Sequence, residues 1–253
     1  MQGHWLLASL GKRVLRPGGI EMTEHILHRA APSSADRIVE FGPGVGRTAQ
    51  ILLAANPAAY TAVDPNPEGA PALAKVLAGH ENTRVVVADA QDTGLPDGCA
   101  DLVVGEAMLT MMAPEVKKKI VAEAARILAP GGRYAIHELG LHPDDIDESI
   151  KKSVHRGLSV AIKVGARPLT MAEWRDLLED AGLEIEDTHS NAMALLEPKR
   201  LIADEGVVGA AKFAKNLLTN KAARTRVLNM RKTFRTYADN INAVGLVARK
   251  PAE

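Results

Sequence analysis

Between residues 37 and 139, short apolar runs alternate with segments of helical periodicity, and this alternation restricts the chain more than any other feature. The runs are RIVEF (37–41), AYTAVD (59–64), TRVVVADA (83–90), CADLVVGEA (99–107) and RYAIHEL (133–139). Strands joined by helices make βαβ units, which demand a parallel sheet covered on both faces. The connecting helices are expected over RTAQILLAANP, over 68–80 and from Pro114 onward. The last of these carries Ile120, Ala124, Ile127 and Leu128 on one face, with Gly131 as its stop. Hydrophobic residues make up 46% of the chain, enough for such a core, but aromatics only 3%, so the core must be aliphatic.

The turn after the first run reads EFGPGVGR, with Gly42, Gly44 and Gly46 spaced by single residues. Glycine reaches positive φ cheaply and lets another molecule approach the backbone. A glycine-rich passage from strand to helix is therefore a ligand cradle. A dinucleotide cradle places its third glycine at position 47, which here is Arg47.

The pattern E-x-G-x-G-x-G instead resembles the first motif of the class I S-adenosylmethionine-dependent methyltransferases, and further marks follow in order. Asp64, followed by Pro65, ends the second run, Asp89 and Ala90 end the third, LPDGCADLVV approaches the fourth and ILAPGGR turns into the fifth. The resemblance covers residues 37–139. It implies a doubly wound, mostly parallel seven-stranded sheet that closes with an antiparallel hairpin, for which LEIEDTHSNAMALL and INAVGLVARK (241–250) are available. It implies S-adenosyl-L-methionine as cofactor and S-adenosylhomocysteine as product, with Asp64 on the ribose hydroxyls and Asp89 and Ala90 at the adenine edge. The cradle of Gly42, Gly44 and Gly46 would then hold the methionine portion, its carboxylate near the start of the following helix. Glu40, an acid on a central strand, needs a partner and is counted with the cofactor site.

The methyl acceptor is expected beyond the fourth strand, where Glu106, Met108, Met111 and Met112 stand. Glu106 is a candidate to orient or deprotonate the acceptor, and a methionine-lined wall suits a small, partly apolar one. His137, at the end of strand five, is a second candidate base. Residues 1–31 are expected to form a helical lid, with Trp5 and His4 against the substrate and Arg16 against the cofactor's carboxylate. Much of the rate of such a displacement comes from aligning acceptor and methyl, worth up to roughly 7–11 kcal/mol in ideal systems.

Residues 140–240 read as substrate-side helices. TMAEWRDLLEDAG opens with Thr170 and Glu173 in a capping-box arrangement. Two helices follow, one with Val207, Ala211, Ala214 and Leu218 on a face, the other with Ala223, Val227, Met230, Phe234 and Tyr237. With no linker or repeat, the chain reads as a single domain, 1–253, with a helical insertion before its final strand.

Several chemistries are opposed. HELGLH puts its second histidine one residue too late for a zinc helix, and the single Cys99 excludes a thiol-rich site. No metal is expected. The N-P-P-Y-like motif of amino-directed nucleic-acid methyltransferases is absent after strand four, and zero net charge argues against nucleic acid as main partner. Residues 198–235 nevertheless hold ten Lys or Arg against two acids, which keeps an RNA or protein methyltransferase as an alternative. A non-catalytic S-adenosylmethionine-binding protein is a second alternative. The lack of a transmembrane run and of a signal-like start points to a cytoplasmic protein.

Overall fold

The computed structural model describes residues 1–66 and 68–252. The five apolar runs form β1 (Arg37–Phe41), β2 (Ala59–Val63), β3 (Thr83–Val86), β4 (Ala100–Glu106) and β5 (Leu128–Leu141), all mutually parallel. They join β6 (Leu169–Thr170), β7 (Glu184–Ala192) and β8 (Ile241–Arg249) in one sheet of order β3-β2-β1-β4-β5-β8-β7, with the two-residue β6 beside the end of β5. β8 runs antiparallel between β5 and β7, which is the expected closing hairpin.

Helices cover both faces. On one lie α2 (Gly19–Ala30), α3 (Arg47–Leu53) and α4 (Ala70–Leu77), where Met22, Ile26, Leu52 and Leu73 meet Ile38, Ala62 and Leu102 of the sheet. On the other lie α5 (Pro114–Ile127) and α7 (Met171–Glu179), with Ile120, Ala124, Trp174 and Leu178 against Phe41, Val103 and Ile136. The capping box of α7 forms as expected, Thr170 accepting from Glu173 N–H and Glu173 from Thr170 N–H. A third cluster sits past the end of β5. It joins α1 (Gly3–Ser9), α6 (Glu148–Ile162), α8 (Pro198–Thr219) and α9 (Lys221–Thr236) around Leu139, Leu158, Phe213 and Phe234.

Three local expectations change. β3 stops at Val86, four residues before Ala90, because it is the sheet edge; the chain then turns so that Asp89 pairs with Asp92. α5 ends at Ile127, and Gly131 (φ 76°) lies instead within the start of β5. The apolar face read on α8 points outward. Ala210 and Phe213 are the buried residues of that part of the helix, while Val207, Ala211, Ala214 and Leu218 are exposed. The face read on α9 is buried as expected, through Ala223, Val227, Met230 and Phe234. No helix among the described residues is long and apolar enough to cross a membrane.

Candidate functional site

A cavity of about 520 Å³ opens where β1, β2 and β4 end. That position follows from topology: the strand order reverses beside β1, and the diverging loops leave a crevice at the carboxyl ends of the strands.

Its first half is mostly backbone. Gly42 (φ 63°) and Gly44 (φ 54°) line it, and no atom stands within 3.8 Å of a Cβ built on either, so both glycines leave open space that side chains would fill. Gly46 has a different task from the one expected. A Cβ there would come within 3.0 Å of Val76 and 3.2 Å of Leu73, so this glycine lets α4 pack on the loop and does not line the cavity. Gly69, which sequence reasoning passed over, has the same role more sharply: its Cβ would lie 2.2 Å from the Gly44 carbonyl oxygen. The only sequence signal for it was a glycine just before α4.

Asp64 closes β2 and lines the cavity with Pro65; its Oδ1 accepts from Asn66 N–H at 2.8 Å. Burial raises its carboxyl above the usual range, against hydrogen bonds from Asn66 and Gly44. Asp89 and Ala90 also line this half, and Asp89 Oδ1 accepts from Gln91 N–H at 2.9 Å. Glu40 does not reach the cavity. It is sealed between β2 and β4, with Tyr60 donating to its carboxyl at 2.6 Å, and burial pushes it up to about 8. Its partner is inside the core.

Glu106 ends β4 and ties four elements together. Its Oε1 accepts from Thr23 of α2 at 2.6 Å and from His137 Nδ1 at 2.9 Å, with Arg16 Nε at 3.4 Å, and its Oε2 accepts from Thr48 of α3. Burial alone would raise this carboxyl, but the Arg16 guanidinium and the bonds from His137 and Thr23 outweigh it and hold the group at about 2. A carboxylate so held does not take a proton near neutral pH. His137 is fully buried, with Nε2 on the Pro17 carbonyl and Nδ1 on Glu106. Both ring nitrogens are engaged by oxygens inside the protein, and the side chain lines no part of the cavity. The expectation of an acceptor-facing His137 therefore fails, because β5 delivers it behind the cavity wall.

Glu138, next along β5 and expected with His137 at a strand end facing the site but given no role there, organises the methionine wall. Its two oxygens accept from the backbone N–H groups of Met108, Leu109 and Thr110 and from the Thr110 hydroxyl, at 2.7–2.9 Å. These bonds cap the 3-10 turn Leu109–Met111 and so hold Met108, Met111 and Met112 in the lining. Burial still raises the Glu138 carboxyl despite the bonds. Ala107 starts the loop at φ 54°, an unusual conformation for a residue with a Cβ. The sequence signal for Glu138 is an acid at a strand end inside an apolar run.

Of the helical segment expected to form a lid over residues 1–31, α1 and the stretch that follows it border the cavity, whereas α2 packs on the sheet face and lines none of it. Trp5 and Arg16 line the cavity, and each keeps a buried nitrogen without a hydrogen-bond partner among the described residues: Trp5 Nε1 and Arg16 Nη2. His4 lines it too, its imidazole pKa lowered by burial against the opposing influence of Glu68. The stretch is latched to α8. Lys12 Nζ meets Asp204 at 3.0 Å with both side chains buried, and Glu205 accepts from the Arg13 and Val14 N–H groups at 2.8 Å. The far half of the cavity, under this lid, is walled by Leu139, Leu158, Ile162, Met193, Met230 and Phe234.

Residues 39–136 match the family described as "Methyltransferase domain". That segment belongs to a methyltransferase-domain family, and the fold of the whole chain is that of solved methyltransferases. A protein of Haemophilus influenzae, described only as uncharacterized, is 32% identical over 98% of this chain and 98% of its own length. Among solved structures, the fold resembles phosphoethanolamine N-methyltransferase 2 of Haemonchus contortus in complex with S-adenosyl-L-methionine. That match has a TM-score of 0.74 and 20% identity, over 98% of this chain and 57% of that one. The [4+2]-cyclase SpnF gives a TM-score of 0.74 at 18% identity, over 98% and 92% of the two chains.

Proposed function

We propose that this methyltransferase acts on a small, partly apolar acceptor held in the far half of the cavity. The observation that carries this reading is the wall of Leu139, Leu158, Ile162, Met230 and Phe234, continuous with Met108, Met111 and Met112. Apolar walls with few polar groups bind by excluding water, and shape then sets the orientation.

The near half suits the cofactor. Asp64 is available to the ribose hydroxyls, Gly42 and Gly44 leave open backbone for the methionine portion, and Asp89 with Ala90 borders the adenine position. Arg16 Nη2, buried and without a partner among the described residues, answers the cofactor's carboxylate. Bound there, the cofactor supplies an electrophilic sulfonium methyl. The chain's own contribution is alignment: Glu138 fixes the methionine loop, and the lid excludes water. Glu106 takes no proton; it anchors Arg16 and the elements around it. An acceptor atom already nucleophilic at neutral pH suits such a site.

Calorimetric titration with S-adenosylmethionine, S-adenosylhomocysteine and NADH tests the cofactor half. Binding of the two sulfur compounds, weakened about tenfold to a hundredfold in Asp64→Ala by the loss of charged hydrogen bonds worth about 1.5–3 kcal/mol, supports it. A preference for NADH would overturn it. Release of S-adenosylhomocysteine on adding apolar amines, thiols or phenols tests the acceptor half. Turnover only with RNA or protein would replace this reading by the macromolecular one, and binding without turnover on any acceptor by a non-catalytic one; the cyclase with this fold illustrates that the fold hosts other chemistry.

A further inference from the structure

The outward stripe of α8 has no partner among the described residues. Val207, Ala211, Ala214 and Leu218 lie within an arc of about 60° at 100° per residue. They run from just after Gly206, whose φ 72°, ψ 170° breaks the helix, almost to its end. Val207 is 73% exposed, Val208 84% and Leu218 68%. Lys215 and Lys212 occupy the adjoining exposed side, and Lys221 and Lys232 stand exposed on α9. An apolar stripe of this kind normally turns to the core; here Phe213 and the latch at Asp204 and Glu205 hold the opposite side inward.

We infer that the outer face of α8 and α9 docks on an anionic lipid bilayer, from which the cavity behind it draws an amphiphilic acceptor. The second clause rests on the reading of the apolar half as the acceptor site. Charge favours this occupant. Residues 198–235 carry ten basic side chains; Arg200 pairs with Glu21 and Arg231 and Arg235 pair with Glu197, and the segment's own two acids, Asp204 and Glu205, are buried in the latch, so the other seven basic side chains leave this part of the cap positive. A helix with apolar and basic exposed positions is suited to lie in a bilayer interface, where apolar burial and attraction to anionic headgroups add. A second copy of this cap would bring two positive surfaces together. RNA binding is opposed by the burial of Phe213 and Phe234, which removes the stacking platforms that single strands use.

The arrangement also links surface to chamber. Met230 and Phe234, on the inner side of α9, wall the far half of the cavity, and Leu228 and Lys232 stand on its outer side. α9 thus has one side on the apolar chamber and the other on the docking face.

The test uses the full chain in sedimentation with vesicles of phosphatidylcholine containing a minority of phosphatidylglycerol, beside vesicles of phosphatidylcholine alone. Expected is at least tenfold tighter binding to the anionic vesicles, since each lysine near such a surface contributes roughly a fivefold factor. Lys212→Glu with Lys215→Glu, and separately Val207→Ser with Leu218→Ser, should each weaken it by about tenfold or more. All four positions are exposed, and S-adenosylmethionine titration of the same preparations reports whether the chain is folded. Equal binding to both vesicles, or binding unchanged in both double variants, overturns the docking. So does a fall in oligomeric mass in the variants, which would make a second copy the occupant, or stronger capture of RNA than of anionic vesicles at matched salt. Methyl-labelled S-adenosylmethionine, incubated with the enzyme and vesicles of bacterial lipid extract, should leave label in the organic phase. Label found only in water-soluble product overturns the amphiphilic acceptor. Vesicle binding without S-adenosylmethionine binding would sink the proposed function and leave the docking standing; the reverse result does the opposite.

Discussion

The two halves of the cavity are built by different means. The near half is made of strand ends and a glycine loop within residues 39–90, and backbone geometry does most of its work. The far half is assembled from side chains of α1, α6, α9 and the β5 end, which lie as far apart as residues 7 and 234. The near half rests on the sheet itself. The far half depends on buried charge and on a lid that other segments must hold. A site of the first kind tolerates change around it, whereas the second fails when one tie is cut.

The latch is the sharpest way to break that contrast. Lys12→Met leaves Asp204 and Glu205 buried with one cation fewer, and loss of one partner of a buried ion pair costs about 3–5 kcal/mol. The prediction is early hydrogen exchange in α1 and α8 and a lower melting temperature, with S-adenosylmethionine affinity less affected than stability. If α8 stays protected, the two halves are not separable in this way.

Glu40 tests the near half from inside. Its folded pKa, about 8, lies above the ordinary 4.5, so the stability it lends is complete below about pH 4.5 and is lost as pH rises through 8. At 1.36 kcal/mol per unit, the loss by pH 7 is about 3 kcal/mol. Glu40→Gln keeps an acceptor for Tyr60 and removes the ionisation, so its stability should be flatter than the wild type's between pH 5 and 8 in denaturant titrations. Parallel curves would mean that Glu40 is solvated.

A smaller effect is expected at Glu138→Gln, where an amide N–H₂ would meet backbone donors. Loss of hydrogen bonds to a buried carboxyl costs about 1–3 kcal/mol. Amide exchange should rise over 107–112 while S-adenosylmethionine binding changes little, which would separate loop positioning from cofactor binding. The smallest effect is at Ala107. Glycine relieves the positive φ, so Ala107→Gly should raise stability by up to about 1 kcal/mol in thermal melts. A loss there would mean that the loop's conformation is easy for alanine.

The legible parts share one property: they are local. Strand–helix alternation, the glycines after β1 and the acid ending β2 can each be read from neighbouring residues, and they locate the near half. Glu106 was expected at the site and lines it, but nothing near it in sequence announces Arg16, Thr23 and Thr48, which convert a candidate base into a held carboxylate. His137 and Glu138 are adjacent on β5, and strand alternation sends them to opposite sides, one to Glu106 and the other under the methionine loop. Gly46 and Gly44 stand two apart in one motif, yet one serves helix packing and the other lines the cavity.

By itself, the sequence determined the sheet, its closing hairpin and the open glycine turn after β1, because periodicity and glycine conformation act over a few residues. Tertiary structure alone decided which carboxyls are shifted and in which direction, which side of α8 meets solvent and what walls the far half of the cavity. Those outcomes depend on burial and on charges brought together from distant positions, as when Lys12 meets Asp204 across the fold.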